Sequence, residues 1–274
     1  MLLETIRGPE DLKKLSLPEM ETLSAEIRKE LIHTVSRNGG HLASNLGVVE
    51  LTLALHRVFD FTQDRIVFDV GHQSYVHKMI TGRYSRFSTL RQHNGISGFP
   101  RRAESEYDCF ETGHASTSIS AALGMARARD FRKEKHQCVA FVGDGALTGG
   151  LCYEALNDAG NSGTRMIVIL NDNEMSIAPN VGALSVRLTN LRVSSKWQNA
   201  KSAMHRFRSI PVVGKPVYRV AHAGKTLMKA ALVKGDSIGF FETLGFEYFG
   251  PIDGHNLEGL EKTLERRRTL TAPA

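Results

Sequence analysis

The stretch "CVAFVGDGALTGGLCYEALNDAGNSGTRMIVILNDN", residues 138–173, decides the fold. Its first apolar run breaks into Gly143-Asp144-Gly145. A helical pattern follows as far as a glycine stop at Gly163, and a second apolar run ends in Asn171-Asp172-Asn173. Strand, helix, strand in this order is a βαβ unit, which predicts an α/β fold with a parallel sheet flanked by helices. Ligands of such sheets bind beyond the carboxyl ends of the strands. Both polar clusters lie there.

Upstream, "LSLPEMETLSAEIRKELIHTVSRNGG" carries helix signals at both ends. Ser16 and Glu19 have capping-box spacing, Pro18 suits the first turn, and Gly39-Gly40 ends the run. "LGVVELTLALHRVF" (46–59) reads as a mostly buried helix, and "RIVFDVGHQ" (65–73) as a short buried strand with a loop after it. The segment 83–113 reads as irregular structure around a site, and "STSISAALGMARARDFR" (116–132) as a helix with a small-residue packing face. Near the end, "GFEYFGPI" (245–252) reads as strand-like, and "NLEGLEKTLERRR" (256–268) as a helix. From Met175 to Gly235 there is no Asp or Glu, while Lys and Arg recur between breakers at Pro211, Gly214 and Pro216. The segment 176–235 is therefore expected to be a mobile basic connection, or a cationic flap over an anionic substrate, within one domain spanning 1–274.

With 274 residues and 41% hydrophobic content, the chain is long enough for a sizeable core. Its net charge of +6 suits phosphorylated or carboxylate ligands. No nucleic-acid-binding motif accompanies that charge. Cys109, Cys138 and Cys152 form no CxxC pair and read as free thiols of a reducing compartment. "MLLETIRGPEDLKKL" is no signal peptide, and no run has the length of a bilayer span. The expectation is a soluble, cytoplasmic protein acting on neither nucleic acid nor membrane.

Asp144 and Asn173 are 29 positions apart, one βαβ unit, so their side chains can converge at adjacent strand ends. Mg²⁺ takes about six oxygens, usually including substrate phosphates. A carboxylate, an amide oxygen and a nearby carbonyl leave room for phosphate oxygens and water. Gly143, Gly145 and the start of the next helix let backbone N–H groups approach a diphosphate. A lone Gly-Asp-Gly is only a turn. Followed by Asn-Asp-Asn after the next strand, it is a metal–diphosphate pattern.

That pattern resembles the motif of thiamine diphosphate enzymes, in a transketolase-like diphosphate-binding domain. Within that superfamily the chain is most similar to the 1-deoxy-D-xylulose-5-phosphate synthases. The residues that carry the likeness are "GGHLASNLGVVELTLALHRVFD", "FDVGHQSYVHKMITGR", "ETGHASTSISAALGMA", "VGDGALTGGLCYEALNDAG", "NDNEMSIAPNVGALS" and "LGFEYFGPIDGHN". The resemblance implies Asp144, Asn173 and the carbonyl of Met175 as Mg²⁺ ligands, with Gly145 and Ala146 as diphosphate contacts. It implies His72, Gly113, His114, Ala115 and Asn173 as cofactor-lining positions, and His41 as a histidine near the reacting carbon, with His41 and His72 in catalytic roles. Imidazoles on loops can move protons near neutral pH and donate to a developing oxyanion. The implied reaction condenses pyruvate with D-glyceraldehyde 3-phosphate with loss of carbon dioxide, and feeds isoprenoid precursor, thiamine and pyridoxal synthesis.

The remaining histidines read differently. His72 and His77 have H-x4-H spacing, but no Cys or acid completes a zinc set. His33, His56, His93 and His136 read as structural, and His255 receives no role. Family members continue past this chain's "ERRRTLTAPA" with a Lys- and Gly-rich strand and a pyrimidine-binding domain. The domain is accordingly expected to be incomplete at its C-terminus and inactive alone, in an enzyme that is homodimeric. A subunit of a split transketolase-like enzyme and a non-catalytic cofactor-binding module are the alternatives. No GxGxxG opens a helix after a strand, which excludes a nicotinamide-binding Rossmann enzyme.

Overall fold

A computed structural model describes residues 1–172 and 238–268. Helices α1 (Pro9–Leu12), α2 (Leu17–Asn38), α3 (Leu42–Leu46) and α4 (Val49–Val58) precede strand β1 (Arg65–Phe68) and the short helix α5 (Tyr75–Lys78). Helix α6 (Ser118–Phe131), strand β2 (Cys138–Gly143), helix α7 (Gly150–Ser162) and strand β3 (Ile167–Asn171) follow. Helices α8 (Ile238–Thr243) and α9 (Leu257–Arg268) complete the described elements. The sheet has the order β1-β2-β3 and is parallel throughout. Gly143 stands opposite Asn171, so the two polar clusters read from sequence begin at neighbouring strand ends.

Successive strand residues face opposite sides of a sheet, and the two cores follow that alternation. Ile66, Phe68, Val139, Phe141 and Ile167 join the cluster that includes α2, α4 and α9 residues. Val67, Ala140 and Val142 join the other, with residues of α6 and α7 and with Phe241 and Phe246. The result is a helix–sheet–helix sandwich. Helix α4 is buried without interruption from Val49 to His56, because α1, α2, α5 and α9 all pack on it.

The helix expected over 46–59 is shorter, and α3 stands apart from it, with Gly47 as its C-cap. The segment 83–113, expected to be irregular, opens with a 3-10 turn over Tyr84–Thr89 and forms no regular element beyond it before α6. The strand expected in "GFEYFGPI" does not form. Gly245 takes φ 92°, which turns the chain out of an extended path. Phe246 is then buried and Tyr248 stacks on Phe241 at 5.8 Å, so the alternating aromatics plug the core instead of pairing in a ladder. The chain approaches α7 closely there: a Cβ on Gly160 would stand 1.6 Å from the carbonyl oxygen of Leu244.

All three cysteines are free. Burial pushes the thiols of Cys138 and Cys152 up to about 11, so both are protonated at neutral pH. Among the described residues, no helix is long and apolar enough to cross a membrane. The basic segment 176–235, with Asn173 and Met175, lies outside the described residues.

Candidate active site

The glycine stop of α2 delivers His41 to the N-cap of α3, after Gly39 and Gly40 at φ 74° and 141°. His72 follows β1 by way of Asp69, Val70 and Gly71. Gly71 has φ 88°, and a Cβ on it would stand 2.6 Å from Pro100 Cδ, so both conformation and space require glycine. The two imidazoles meet edge to face with centroids 5.1 Å apart. Asn45, fully buried, ties their loops together. Its amide nitrogen donates to the carbonyl oxygens of His41 at 2.7 Å and His72 at 2.8 Å, and its oxygen accepts from the Tyr75 amide at 3.0 Å.

The electrostatics keep both rings neutral. Burial lowers the pKa of His41, and the nearby Arg91 charge lowers it further. Burial and the neighbouring His41 lower His72 to about 4. Arg91 is exposed, yet its stem lies across Gly98, where a Cβ would stand 2.9 Å from Arg91 Cγ. Phe99, in the same loop, closes on the His41 ring with centroids 6.4 Å apart.

A second loop, Thr112–Thr117, is held from below. The Asp69 carboxylate accepts from the amides of Ser116 at 2.7 Å and Ser118 at 2.9 Å. Ser116, at φ 71°, donates through Oγ to the Ala146 carbonyl at 2.7 Å, which joins this loop to the turn after β2. Gly113 has open space around it, and His114 and Ala115 are exposed. His114 engages through its backbone: its amide donates to Thr112 Oγ1, and its carbonyl accepts from Thr117 Oγ1.

Asp144 follows Gly143 directly, is buried, and its amide donates to the Asn171 carbonyl at 3.1 Å. Gly145 and Ala146 open a short 3-10 turn, and Gly145 has helical dihedrals, so no unusual φ requires glycine there. Gln73 spans the gap toward the histidine pair, with its Oε1 3.8 Å from where a Gly143 Cβ would stand. Two buried polar atoms around this floor have no hydrogen-bond partner among the described residues: Nδ1 of His72 and Nδ2 of Asn171. Orphaned buried polar groups are costly unless a further group meets them. A carboxylate, glycine-lined backbone and two unused polar atoms at strand ends fit a metal-bound diphosphate.

The structure thus brings His41 to His72, and Ala146 to the loop carrying Gly113, His114 and Ala115. Sequence reasoning missed Asn45, Asp69, Gln73 and Tyr75, although all four stand inside the quoted motifs. His77 turns away from His72, toward His56 and Asp108. Among the described residues no group of three or more His, Cys, Asp or Glu side chains is arranged to hold a metal ion. His255 docks its Nδ1 2.9 Å from Glu50 Oε2, beside Arg28.

Comparison with known proteins decides the family. The family model described as 1-deoxy-D-xylulose-5-phosphate synthase matches residues 3–274. The chain belongs to the 1-deoxy-D-xylulose-5-phosphate synthase family. It is 54% identical over 273 residues to the 1-deoxy-D-xylulose-5-phosphate synthase of Desulfitobacterium hafniense (strain DSM 10664 / DCB-2), covering 99% of this chain. It is 56% identical over 274 residues to that of Brevibacillus brevis, covering 100% of this chain. The chain spans 43% of the length of each of these synthases. Among solved structures, transketolase from Campylobacter jejuni superposes on 94% of this chain with a TM-score of 0.65 and 21% identity, over 37% of its own length. Transketolase from Leishmania mexicana covers 94% of this chain and 35% of its own, with a TM-score of 0.64 and 17% identity. The synthase family member therefore has a transketolase-like fold.

Proposed function

We propose that this chain is the diphosphate-binding part of a 1-deoxy-D-xylulose-5-phosphate synthase, which joins pyruvate to D-glyceraldehyde 3-phosphate with loss of carbon dioxide. The observation that carries the reading is the pairing of Asp144 with Asn171 at adjacent strand ends, on the floor that also holds the orphaned atoms of His72 and Asn171. Asp144, Asn173 and the carbonyl of Met175 would hold Mg²⁺. Gly145 and Ala146 would contact the diphosphate, and His72, Gly113, His114, Ala115 and Asn173 would line the cofactor.

Thiamine diphosphate supplies the electron sink for decarboxylation and carbon–carbon bond formation. The protein's own share is binding, orientation and proton handling. His72, neutral at working pH, presents an Nδ1 that has no partner among the described residues. His41, also biased to the neutral form, is fixed against it and is able to accept or hold a proton near the reacting carbon. The basic surplus of the chain suits two anionic substrates. The pyrimidine-side contacts belong to the part of the synthase this chain does not span, supplied in cis or in trans in a cytoplasmic homodimer.

Calorimetric titration of thiamine diphosphate into the chain, with Mg²⁺ and with EDTA, tests the reading. Binding is expected only with the metal, and Asp144→Ala is expected to abolish it. Binding that persists in EDTA or in Asp144→Ala would overturn the assignment of the metal site, and absence of binding at millimolar cofactor would show that this part binds nothing by itself.

A further inference from the structure

A buried network lies behind the histidine pair and takes no part in the proposed reaction. His56 Nδ1 is 2.8 Å from the Thr52 carbonyl oxygen, and His56 Nε2 is 2.9 Å from His77 Nδ1. His77 Nε2 is in turn 2.7 Å from Asp108 Oδ1. The same carboxylate accepts from Arg83 Nη1 at 2.6 Å, from Arg83 Nη2 at 2.9 Å and from the Arg101 amide at 2.7 Å. His56, His77 and Asp108 are all at most 3% exposed.

Counting hydrogens along this chain leads to a definite protonation state. Each of the three contacts, carbonyl to ring, ring to ring and ring to carboxylate, needs one hydrogen. The Thr52 carbonyl has none to offer. Asp108 is the acceptor of three other N–H groups and is therefore ionised. Two neutral imidazoles carry one N–H each, which leaves one contact as a facing pair of lone pairs in a site closed to water. We propose that His56, His77 and Asp108 together hold one further proton, as an imidazolium in the His56–His77 pair next to the Asp108 carboxylate. The inference stands on this geometry and does not depend on the function proposed above.

The surroundings are compatible with the extra charge. Arg83 and Lys78 add two cations, and Asp108 and Glu104 two anions, with Lys78 2.7 Å from Glu104. Arg83 also faces His56. Burial works against a charged ring on both histidines, as does Arg83, with Lys78 adding to it at His77, whereas the Asp108 carboxylate favours the charged ring at His77. The bond count settles the balance, because without the proton one contact below 3 Å is repulsive. The proton then acts as a fastener. It joins α4, through His56, to the loop that Asp108 and Glu104 hold by the amides of Arg101 and Ser97. That loop carries Phe99 against His41. His77 and Asp108 are thus positioning residues for the candidate site.

The test is ¹⁵N spectroscopy of the histidine side chains in the 274-residue chain at pH 8, about 1.5 units above the value for a free imidazole. One doubly protonated ring in the His56–His77 pair is the expected result, with its loss on further alkalinisation accompanied by faster amide exchange at Arg101. Two singly protonated rings at pH 8 would overturn the proposal. Asp108→Asn supplies the missing hydrogen through its amide, so that variant is expected to show two neutral rings. An imidazolium that survives in folded Asp108→Asn would overturn the role given to the carboxylate. The native-chain measurement stands even where the variant does not fold.

Discussion

The carboxylate of Asp69 accepts the amides of Ser116 and Ser118 from a loop 47 and 49 residues away, at 2.7 and 2.9 Å. One side chain at the end of β1 thereby sets the height of the Gly113–Ala115 loop above the sheet. Charge-assisted acceptors of this kind are stronger than neutral ones. In Asp69→Asn, amide exchange at Ser116 and Ser118 is expected to accelerate at least tenfold while β2 keeps its protection. Unchanged exchange at both amides would mean the loop is held by other contacts.

Gly149 and Ser116 are a steric pair. A Cβ on Gly149 would stand 2.0 Å from Ser116 Oγ and 2.7 Å from Ser116 Cβ. Its own φ of −75° is open to any residue, so the conflict is one of space alone. Gly149→Ala is expected to cost about 1–3 kcal/mol in urea unfolding. Ser116→Gly removes the obstructing side chain and relieves a positive φ. The double variant is therefore expected to recover part of that loss, a coupling that a two-by-two cycle of unfolding midpoints would measure.

His72 makes stability depend on acid. Burial and His41 hold its folded pKa near 4, below the ordinary 6.5. Since the folded pKa is depressed, the unfolded chain takes up a proton first as pH falls. Stability is thus expected to decline between about 6.5 and 4, and His72→Gln is expected to flatten that decline. Unfolding curves at pH 7.5, 6 and 5 for both chains supply the comparison. Parallel pH dependences would show that the slope has another source.

Asn45→Ala takes a hydrogen-bond partner from three backbone groups at once, two of them part-buried and one buried. Two are carbonyls, of His41 and His72, and one is the Tyr75 amide. Unsatisfied buried groups cost about 1–3 kcal/mol each, with relaxation and overlap reducing the sum, so about 2–4 kcal/mol is expected. Denaturant titration would give the figure, and a change under 0.5 kcal/mol, roughly the scale of an ordinary surface substitution, would contradict the clamp.

The central architecture was legible because each of its parts has a local signature. An apolar run, a glycine-flanked acid and a glycine stop are all contiguous in residues 138–173. "GFEYFGPI" misled because alternating aromatics fit a pleated strand and a core plug equally well; only the turn at Gly245 and the nearness of α7 decide between them. Asn45 and Asp69 were illegible in their roles for another reason. Their partners lie up to 49 residues away, and nothing local marks a polar side chain that reaches a loop distant in sequence. The His56–His77–Asp108 chain is of the same kind: the H-x4-H spacing of His72 and His77 was set aside for want of a Cys or acid, and nothing local marks partners 21 and 31 residues apart.

The register of Gly143 against Asn171 has a consequence for how this domain tolerates changes of length. Side chains alternate along a strand, so one residue added to β2 or β3 would exchange the two cores and carry Asp144 away from the Asn171 carbonyl. One residue added to the turn Gly163–Arg165 would leave both strand ends where they are. Insertions and deletions are therefore expected to be absorbed by the connections and refused by the strands.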